Sequence, residues 1–434
     1  MIFIIFLHIS NDIEHIAVKI YLFDSTEAHQ NLLPLSFTRP IADFRCGILT
    51  IKEKWEKYIP GEYGYFPVEY LRDKFGSVSN PYEDALFIAG NLLPRPDLLE
   101  AIRNLNPGEA LVRTKQTDAE ASFLSAIYAF RGSLSSLLSN KFKYIPFSSS
   151  TAQKDPTTTT PPSITYLYDI FQKNGEEIIR DFQLITKGRK SQPIPDCVRK
   201  ISSSNLKGLG RLIFIEKGAK VECASINLTK GPVYIGKDAV LMEGACIRGP
   251  FAICEASEVK MGTKIYEGTT IGPHCKVGGE LNNTVFFGYS NKAHDGFLGN
   301  AVIGEWCNIG AGTNASNLKN DYSKIRLWNY ATHSFMKTDL QFCGLIMGDH
   351  SKIGVNCMIN TATVIGVGVN IHGAGFPRNF VPCFSEGSPH TGFSTVPLNK
   401  FLDIMDRVMS RRDMKPTEVD TEMLKHIYES QEEK

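Results

Sequence analysis

The chain lacks the charge and cysteine patterns that mark several common classes of protein. Its 434 residues carry a formal net charge of +1 without a block of like charge, so nothing in it suggests a nucleic-acid-binding surface. The ten cysteines are scattered singly, with no Cys-x-x-Cys pair and no His/Cys cluster at the spacing of a zinc site. Such a pattern is typical of free thiols in a reducing cytosol, and we expect a cytoplasmic protein.

Long hydrophobic runs are also absent. The opening stretch MIFIIFLHIS is apolar for about nine residues, which is too short to span a bilayer, and it lacks a basic leader and a small-residue cleavage site. We therefore expect no membrane association. Residues 1–16 are interpreted as an N-terminal extension, because the segment 18–24, VKIYLFD, already has the pattern of a first strand.

An aliphatic residue recurs at every sixth position between residues 235 and 277. A period of six fits neither a helix nor a simple strand, but it is typical of a hexapeptide-repeat solenoid, in which each rung adds one aliphatic side chain to a continuous core. The sequence therefore predicts a left-handed parallel β-helix, an architecture found most often in acyltransferases. The first run comprises Ile235, Leu241, Ile247, Ile253, Val259, Ile265, Ile271 and Val277, and a second comprises Met347, Ile353, Ile359, Ile365 and Ile371.

Residues 17–185 have a different pattern, in which short apolar strands alternate with helical stretches. This alternation favours an α/β layer domain. A low-complexity loop rich in Ser, Thr and Pro, at 148–163, is expected to interrupt it. Residues 186–208 carry Gly, Pro, Lys and Ser without a period and are interpreted as a linker.

The β-helix is expected over residues 209–375, with two departures from the period, at about 279–297 and 314–344. Insertions in a solenoid become loops that project from one face and commonly build its site. Residues 376–434 are expected to form a loop followed by two helices. These helices would cap the solenoid or pack on the first domain.

The first departure leads into the segment NKAHDGFLGNAVIGEWCNIGAGT at 291–313. This segment resembles the acetyltransferase half of the bifunctional bacterial enzyme family that makes UDP-N-acetylglucosamine, in which K-A-G-H-x-x-Y-L-G-D-x-x-I-G precedes N-I-G-A-G-T. The resemblance implies that His294 is the catalytic base, that Ala311 lies beside acetyl-coenzyme A, and that Asn308 and Asn317 bind the sugar phosphate. A locally packed loop histidine is the alternative interpretation of His294.

These residue types suit acetyl transfer from a thioester to a sugar amine. The reaction needs a base at the attacking nitrogen, and a histidine that is neutral near pH 7 can accept that proton. Backbone N–H groups or an asparagine amide can stabilise the oxyanion of the intermediate. The second departure contains Lys319, Lys324 and Arg326, which could hold the phosphate, although a solvated loop would explain them equally well.

Three positions depart from the family pattern. Phe297 stands where the family has a tyrosine. Tyr266 and the uncharged stretch 282–284 stand where family members use an arginine and a lysine for phosphate. A different sugar phosphate is therefore an open alternative.

The segment LLPLSFTRPIADFRCGILTIKEKW at 32–55 resembles the start of a divergent sugar-nucleotidyltransferase family that accompanies this solenoid. The resemblance implies a nucleotidyltransferase-like (Rossmann-like) α/β domain that uses UTP and Mg²⁺. The usual Gly-x-Gly-Thr-Arg loop is absent, and Arg39, Arg45 and Gly47 precede an amphipathic helix instead. We predict a nucleotide cradle there, since a helix N-terminus favours anions, with surface ion pairs as the alternative. The metal ligands are unknown, the only candidates being Asp24, Asp169, Asn174 and Asp181.

The sequence thus predicts a bifunctional enzyme that acetylates glucosamine 1-phosphate from acetyl-coenzyme A and transfers a uridylyl group from UTP to give UDP-N-acetylglucosamine. The resemblance also implies a homotrimer with coenzyme A bound between neighbouring solenoids. Two alternatives stay open. One is the same chemistry on another sugar 1-phosphate, including a dTTP-dependent reaction. The other is a non-catalytic regulatory or scaffold subunit, favoured by the missing Gly-rich loop.

Overall fold

The computed structural model describes residues 19–113, 126–147, 160–202 and 212–432. The expected extension 1–16, residues 148–159 of the expected low-complexity loop and the end of the expected linker lie outside the described residues. The described chain forms an α/β domain, a parallel β-helix and C-terminal helices. The fold class predicted from the six-residue period and the strand–helix alternation is therefore confirmed.

The α/β domain is built on a mixed sheet of six strands. These are β1 (Lys19–Phe23), β2 (Tyr63–Phe66), β3 (Ala85–Ala89), β4 (Glu109–Val112), β5 (Ile127–Gly132) and β6 (Lys143–Pro146). Their order is β2-β1-β3-β5-β4-β6, and β5 alone runs against the others. Every residue of β3 is buried, as expected of a central strand that is covered on both faces.

The helices of this domain lie between its strands along the chain, except for the last of them, which follows the final strand. They are α1 (Thr26–Asn31), α2 (Ile51–Tyr58), α3 (Arg72–Phe75), α4 (Pro96–Arg103), α5 (Leu134–Leu138) and α6 (Leu167–Thr186), with 3₁₀ turns at Ile41–Asp43 and Glu69–Leu71. Two further helices, α7 (Leu398–Ser410) and α8 (Glu418–Glu432), end the described chain. Within the described ranges, no helix combines the length and the apolar character that crossing a membrane requires.

The β-helix has three faces of short parallel strands. Face A comprises Ile213–Ile215, Val233–Ile235, Phe251–Ile253, Thr269–Ile271, the second halves of Glu280–Gly288 and Phe297–Glu305, Ile346–Met347, Val364–Ile365 and Phe380–Val381. Face B comprises Lys220–Val221, Val240–Leu241, Glu258–Val259, Lys276–Val277, Asn291–Lys292, Asn308–Ile309, Lys352–Ile353, Asn370–Ile371 and Ser385–Ser388, which pairs antiparallel with Gly392–Thr395. Face C comprises Arg199–Ile201, Ser225–Asn227, Cys246–Arg248, Lys264–Ile265, the first halves of the two long strands, Asn314–Ala315 and Met358–Ile359.

The repeated aliphatic residues form the core of the β-helix. All eight members of the first run are buried in one cluster, and in-register pairing stacks each on its counterpart one rung away, as with Leu241 and Val259. Burying such a side chain contributes roughly 1.5–3 kcal/mol. The helix extends beyond the expected range 209–375 in both directions. It begins at Arg199–Ile201, whose side chains are exposed and therefore show no apolar period, and it continues to Ser388.

The two departures from the period have different structures. The first, at 279–297, is not a projecting insertion. The chain there shortens one corner and then forms a nine-residue strand, Glu280–Gly288, that crosses from face C to face A. The second leaves the helix as an excursion over residues 318–342, which contains the hairpin Arg326–Asn329 and Ser334–Lys337. Hydrogen bonds close its base, because the Cys343 N–H donates to the Asn317 carbonyl at 3.0 Å.

Helix α6 fixes the α/β domain to face A through a buried asparagine. The Asn174 side chain donates to the Gly268 carbonyl at 2.7 Å and accepts from the Gly47 N–H at 2.6 Å. One residue therefore joins α6, the loop before α2 and the β-helix. The terminal helices contact both units: Phe401 packs edge-on against Phe384 of the β-helix with ring centroids 5.0 Å apart, and α8 contacts α3.

Replacement of Asn174 by Ala should destabilise the protein by about 1–3 kcal/mol, because the buried N–H of Gly47 loses its acceptor. Urea denaturation measures the change. The matched control is Lys173→Ala, one position along α6 at a half-buried site, which should stay within about 0.5 kcal/mol of the unsubstituted protein. Equal effects of the two substitutions would contradict this account of the domain contact.

Candidate active sites

His294 lies at a corner of the β-helix between faces B and C. On a regular rung, the residue at this corner comes two positions after the inward-facing residue of face B. His294 and Ala311 hold that place on consecutive rungs, after Lys292 and Ile309. The Gly312 N–H donates to the Asp295 carbonyl at 2.9 Å, which joins the two corners directly. The structure therefore brings the exposed His294 next to the half-buried Ala311.

Asn308 and Asn317 flank this corner on different sides. Asn308 is exposed on face B. It pairs in register with Asn291, the residue of the His294 rung that directly precedes Lys292. Asn317 lies beyond face C, at the base of the excursion, and its side-chain amide donates to Asn300 Oδ1 at 2.8 Å. Asn308 is thus near the His294 corner, whereas Asn317 is at the next corner of the helix.

The three expected phosphate-binding cations lie in the excursion and bond to atoms of that loop. The Lys319 ammonium donates to Ser323 Oγ at 3.3 Å, Lys324 donates to the Asp339 carbonyl, and Arg326 donates to the Phe335 carbonyl at 3.1 Å. Lys324 and Arg326 are exposed. Within one chain the width of face C separates this group from His294.

Arg39 is buried between the α/β domain and the β-helix. Its guanidinium pairs with Glu305 at 3.1 Å and with Asp349, and Asp349 also accepts from the Thr38 hydroxyl at 2.7 Å. Burial opposes the charge of Arg39, but the attraction of Asp349 and Glu305 outweighs it and raises the pKa of Arg39 above its ordinary value. Arg39 therefore holds the two units together.

Arg45 and Gly47 are also engaged in packing. Arg45 donates to the carbonyls of Ile48 and Phe287. Gly47 has a φ of +93°, and Asp181 Oδ2 lies where a Cβ added to Gly47 would stand. The N-terminus of α2 is closed by its own capping box, formed by Thr50 and Glu53. The residues predicted to form a nucleotide cradle, Arg39, Arg45 and Gly47, are thus engaged at a buried domain contact.

A crevice opens instead at the carboxyl ends of β1, β3 and β4. The chain passes from β1 to β2 on one side and then crosses to β3 on the other, and open α/β sheets bind ligands at such a switch point. Ser25, Asn91, Arg113, Tyr128 and Thr165 line the crevice. Sequence reasoning missed this site. The available signal was the polar residues that directly follow two strands, Asp24-Ser25 and Gly90-Asn91.

Asp24 lies buried beneath this crevice, where its carboxylate accepts from the Ile41 N–H at 3.2 Å. Burial raises the pKa of Asp24 to about 8. The other expected magnesium ligands are engaged: Asp169 accepts from Thr165 and Tyr166, and Asn174 and Asp181 accept from the loop at 47–49. Across the described ranges, no three His, Cys, Asp or Glu side chains are grouped in a way that could hold a metal ion.

Comparison with known proteins identifies a family model that matches the α/β domain and several relatives of the chain. Residues 20–190 match the family model described as sugar nucleotidyl transferase. The bifunctional protein GlmU of Legionella pneumophila (strain Corby) is 24% identical over 281 residues, which cover 55% of this chain and 58% of that protein. GlmU of Trichodesmium erythraeum (strain IMS101) is 33% identical over 103 residues, 23% of this chain and 18% of that protein. The chain thus spans 58% of the Legionella relative's length.

Solved structures of acyltransferases also match, at low overall similarity. The acetyltransferase domain of PglB from Neisseria gonorrhoeae FA1090, in complex with acetyl coenzyme A, is 13% identical with a TM-score of 0.18, covering 44% of this chain and 62% of that one. The UDP-N-acetylglucosamine acyltransferase of Francisella novicida is 14% identical with a TM-score of 0.20, covering 52% and 75%. At such TM-scores neither likeness informs the site.

Replacement of Asp24 by Asn should remove a pH-dependent loss of stability. Because burial raises the folded-state pKa from 3.8 to about 8, the folded protein favours the protonated acid and loses stability as the pH rises from about 4 to about 8. Asp24→Asn cannot ionise, so its stability relative to the unsubstituted protein should increase over this window by at most about 1.4 kcal/mol per pH unit. Urea unfolding at several pH values measures the difference, and parallel curves would contradict it.

Proposed function

We propose that this GlmU-like chain, whose first domain belongs to the sugar nucleotidyl transferase family, is a bifunctional enzyme of sugar-nucleotide biosynthesis. Its β-helix acetylates glucosamine 1-phosphate from acetyl-coenzyme A, and its α/β domain transfers a uridylyl group from UTP to the product. The observation that carries the proposal is the exposed His294 beside Ala311 on consecutive rungs. The crevice at β1 and β3, within the region matched by the family, supports the second activity.

In the acetyl transfer, His294 acts as the general base. It takes a proton from the sugar amine as the nitrogen attacks the thioester carbonyl and the N–C bond forms. The tetrahedral intermediate then collapses, the C–S bond breaks, and the thiolate of coenzyme A leaves and is protonated. Ala311 offers its backbone to the acetyl-coenzyme A beside this corner, and Asn308 offers an exposed amide to the sugar phosphate from the adjoining face B.

A homotrimer would complete this site. Lys319, Lys324 and Arg326 lie away from His294 in their own chain, so their proposed role in phosphate binding requires the excursion of one subunit to reach the His294 corner of the next. Exposed apolar side chains near that corner support such a contact: Val355 is 65% exposed on the rung after Ala311, and Met358 is 40% exposed on face C.

In the uridylyl transfer, the phosphate oxygen of the acetylated sugar attacks the α-phosphorus of UTP and pyrophosphate leaves. Arg113 is an exposed cation at the crevice and can offset the charge that develops on the phosphates. Asn91 and Thr165 offer hydrogen-bonding groups beside it. The product is UDP-N-acetylglucosamine.

A second candidate is the same pair of reactions on a different sugar 1-phosphate. Tyr266, 38% exposed, and Asn282 stand where the resembled family has its phosphate-binding arginine and lysine, and this favours an altered sugar pocket. Assays that combine UTP or dTTP with several amino- and deoxysugar phosphates distinguish the candidates. Higher kcat/KM for a substrate pair other than UTP and glucosamine 1-phosphate would favour the second.

Replacement of His294 by Ala should lower kcat for acetyl transfer by about a hundredfold or more, because the general base is lost. Release of the coenzyme A thiol in the presence of glucosamine 1-phosphate measures the rate. Uridylyl transfer to N-acetylglucosamine 1-phosphate should be unchanged, since the α/β domain is intact.

The control for this substitution is His372→Ala, which removes an exposed histidine from a later rung of the same helix. It should leave both activities within about twofold of the unsubstituted enzyme. Full acetyl transfer by His294→Ala would reject the proposed mechanism. Absence of both activities in the unsubstituted protein, with every substrate pair, would favour a non-catalytic subunit.

Replacement of Arg113 by Ala should weaken UTP binding by about tenfold to a hundredfold, the loss expected for one hydrogen bond to a charged group. Isothermal titration calorimetry measures the Kd. The control is Arg103→Ala, at an exposed arginine of α4 that does not line the crevice. Equal affinity of the two variants for UTP would show that the crevice is not the nucleotide site.

A further inference from the structure

A lysine occupies one inward position of the β-helix that is otherwise aliphatic. In the column of face B, Lys292 stacks directly on Val277 and is 1% exposed. Burial of a charged group is costly unless a specific contact compensates for it. The other members of the column are Val221, Leu241, Val259, Val277, Ile309, Ile353 and Ile371, and the column ends at Gly387.

The ammonium of Lys292 bonds to the backbone of the His294 corner. It donates to the His294 carbonyl at 2.6 Å and to the Gly278 carbonyl, one rung earlier, at 3.4 Å. Burial lowers the pKa of Lys292 to about 8, with the nearby charge of Asp295 acting in the opposite direction. The compensating contact of this lysine is therefore the peptide group that carries His294.

The His294 carbonyl lacks the backbone partner that is found at two equivalent corners. The carbonyls of Glu243 and Ala311, at the same corner, accept from N–H groups of the next rung at 3.1 and 2.8 Å. At the His294 corner the N–H of the next rung goes to Asp295 instead. The ammonium of Lys292 is therefore the donor to the His294 carbonyl.

On the side of the preceding rung, the His294 corner and its neighbour also differ in chain length. The corner from Val277 to Leu281 spans four positions, whereas the corner from Lys292 to Leu298 spans six. Val277 nevertheless pairs in register with Lys292, and Leu281 with Leu298. The His294 corner thus carries two more residues than the corner before it and lacks a full set of backbone neighbours on that side. Lys292 substitutes for the missing neighbours.

We propose that Lys292 is a positioning residue for acetyl transfer, which holds the His294 peptide so that the imidazole keeps one orientation towards the sugar amine. This inference rests on the proposed role of His294 as the base. Small displacements of a catalytic group reduce the rate strongly while substrate binding is less affected. An aliphatic residue, as on the other rungs, would fill the core equally well but could not hold the carbonyl.

The test is Lys292→Met, which keeps the length and apolar stem of the side chain and removes the donor. We expect kcat for acetyl transfer to fall by about tenfold to a hundredfold, with the KM for acetyl-coenzyme A within about twofold and the unfolding midpoint unchanged or raised. Amide hydrogen exchange at residues 293–296, followed by mass spectrometry, should accelerate.

Lys352→Met is the matched control. Lys352 is a half-buried lysine of face B, and it donates to the carbonyls of Trp306 at 3.0 Å and His350 at 2.6 Å, at the corner between faces A and B. Its replacement should leave kcat within about twofold.

The outcomes separate this inference from the proposed function. Full kcat in Lys292→Met, together with loss of activity in His294→Ala, overturns the positioning role alone. Retained activity in His294→Ala overturns both. A Lys292→Met protein that fails to fold, or that loses activity only through a raised KM, assigns the lysine a different role and also overturns the proposal.

Discussion

The stacking of one buried aliphatic side chain per rung, in fixed parallel register, is the constraint on which the rest of the molecule depends. Because each rung repeats the backbone of the one before, residues at equivalent positions line up along the surface. His294, Ala311 and Val355 therefore form a line at one corner. The corner before His294 is two residues shorter than the His294 corner, yet the strands on either side of both corners stay in register.

Buried polar contacts, rather than a flexible linker, hold the α/β domain on this frame. Asn174 joins three segments, and Arg39 pairs with two carboxylates of the β-helix. Removing one partner of such a buried pair is strongly destabilising, because the other charge is left uncompensated. Arg39 and Arg45, which the sequence suggested as part of a phosphate cradle, therefore contribute to domain packing. The proposed nucleotide site lies instead at the carboxyl ends of the sheet strands.

The sequence predicted the parts of the fold that depend on local pattern. The six-residue period revealed the β-helix because its inward residues must be apolar, and the two helices expected within 376–434 are α7 and α8. Arg199–Ile201 could not be found in this way, because it contributes backbone pairing with exposed side chains. The partners of Arg39 lie more than 260 positions away along the chain, and no local pattern encodes such contacts.

For the site, the motif around His294 predicted which residues to examine but not how they are arranged. The distance along the chain from His294 to Lys319 gives no sign that face C separates them. Sequence pattern likewise gave no reason to single out Lys292, which is distinguished only by its position inside the core. The carbonyl contact of that lysine became visible only in three dimensions.

The central claim is that one chain carries out acetyl transfer followed by uridylyl transfer. The most direct measurement incubates the purified protein with glucosamine 1-phosphate, acetyl-coenzyme A and UTP, and identifies the products by mass spectrometry, with each substrate omitted in turn. The account predicts UDP-N-acetylglucosamine, free coenzyme A and pyrophosphate in the complete mixture, and N-acetylglucosamine 1-phosphate when UTP is omitted. Failure to form any acetylated sugar phosphate while acetyl-coenzyme A is present would contradict it.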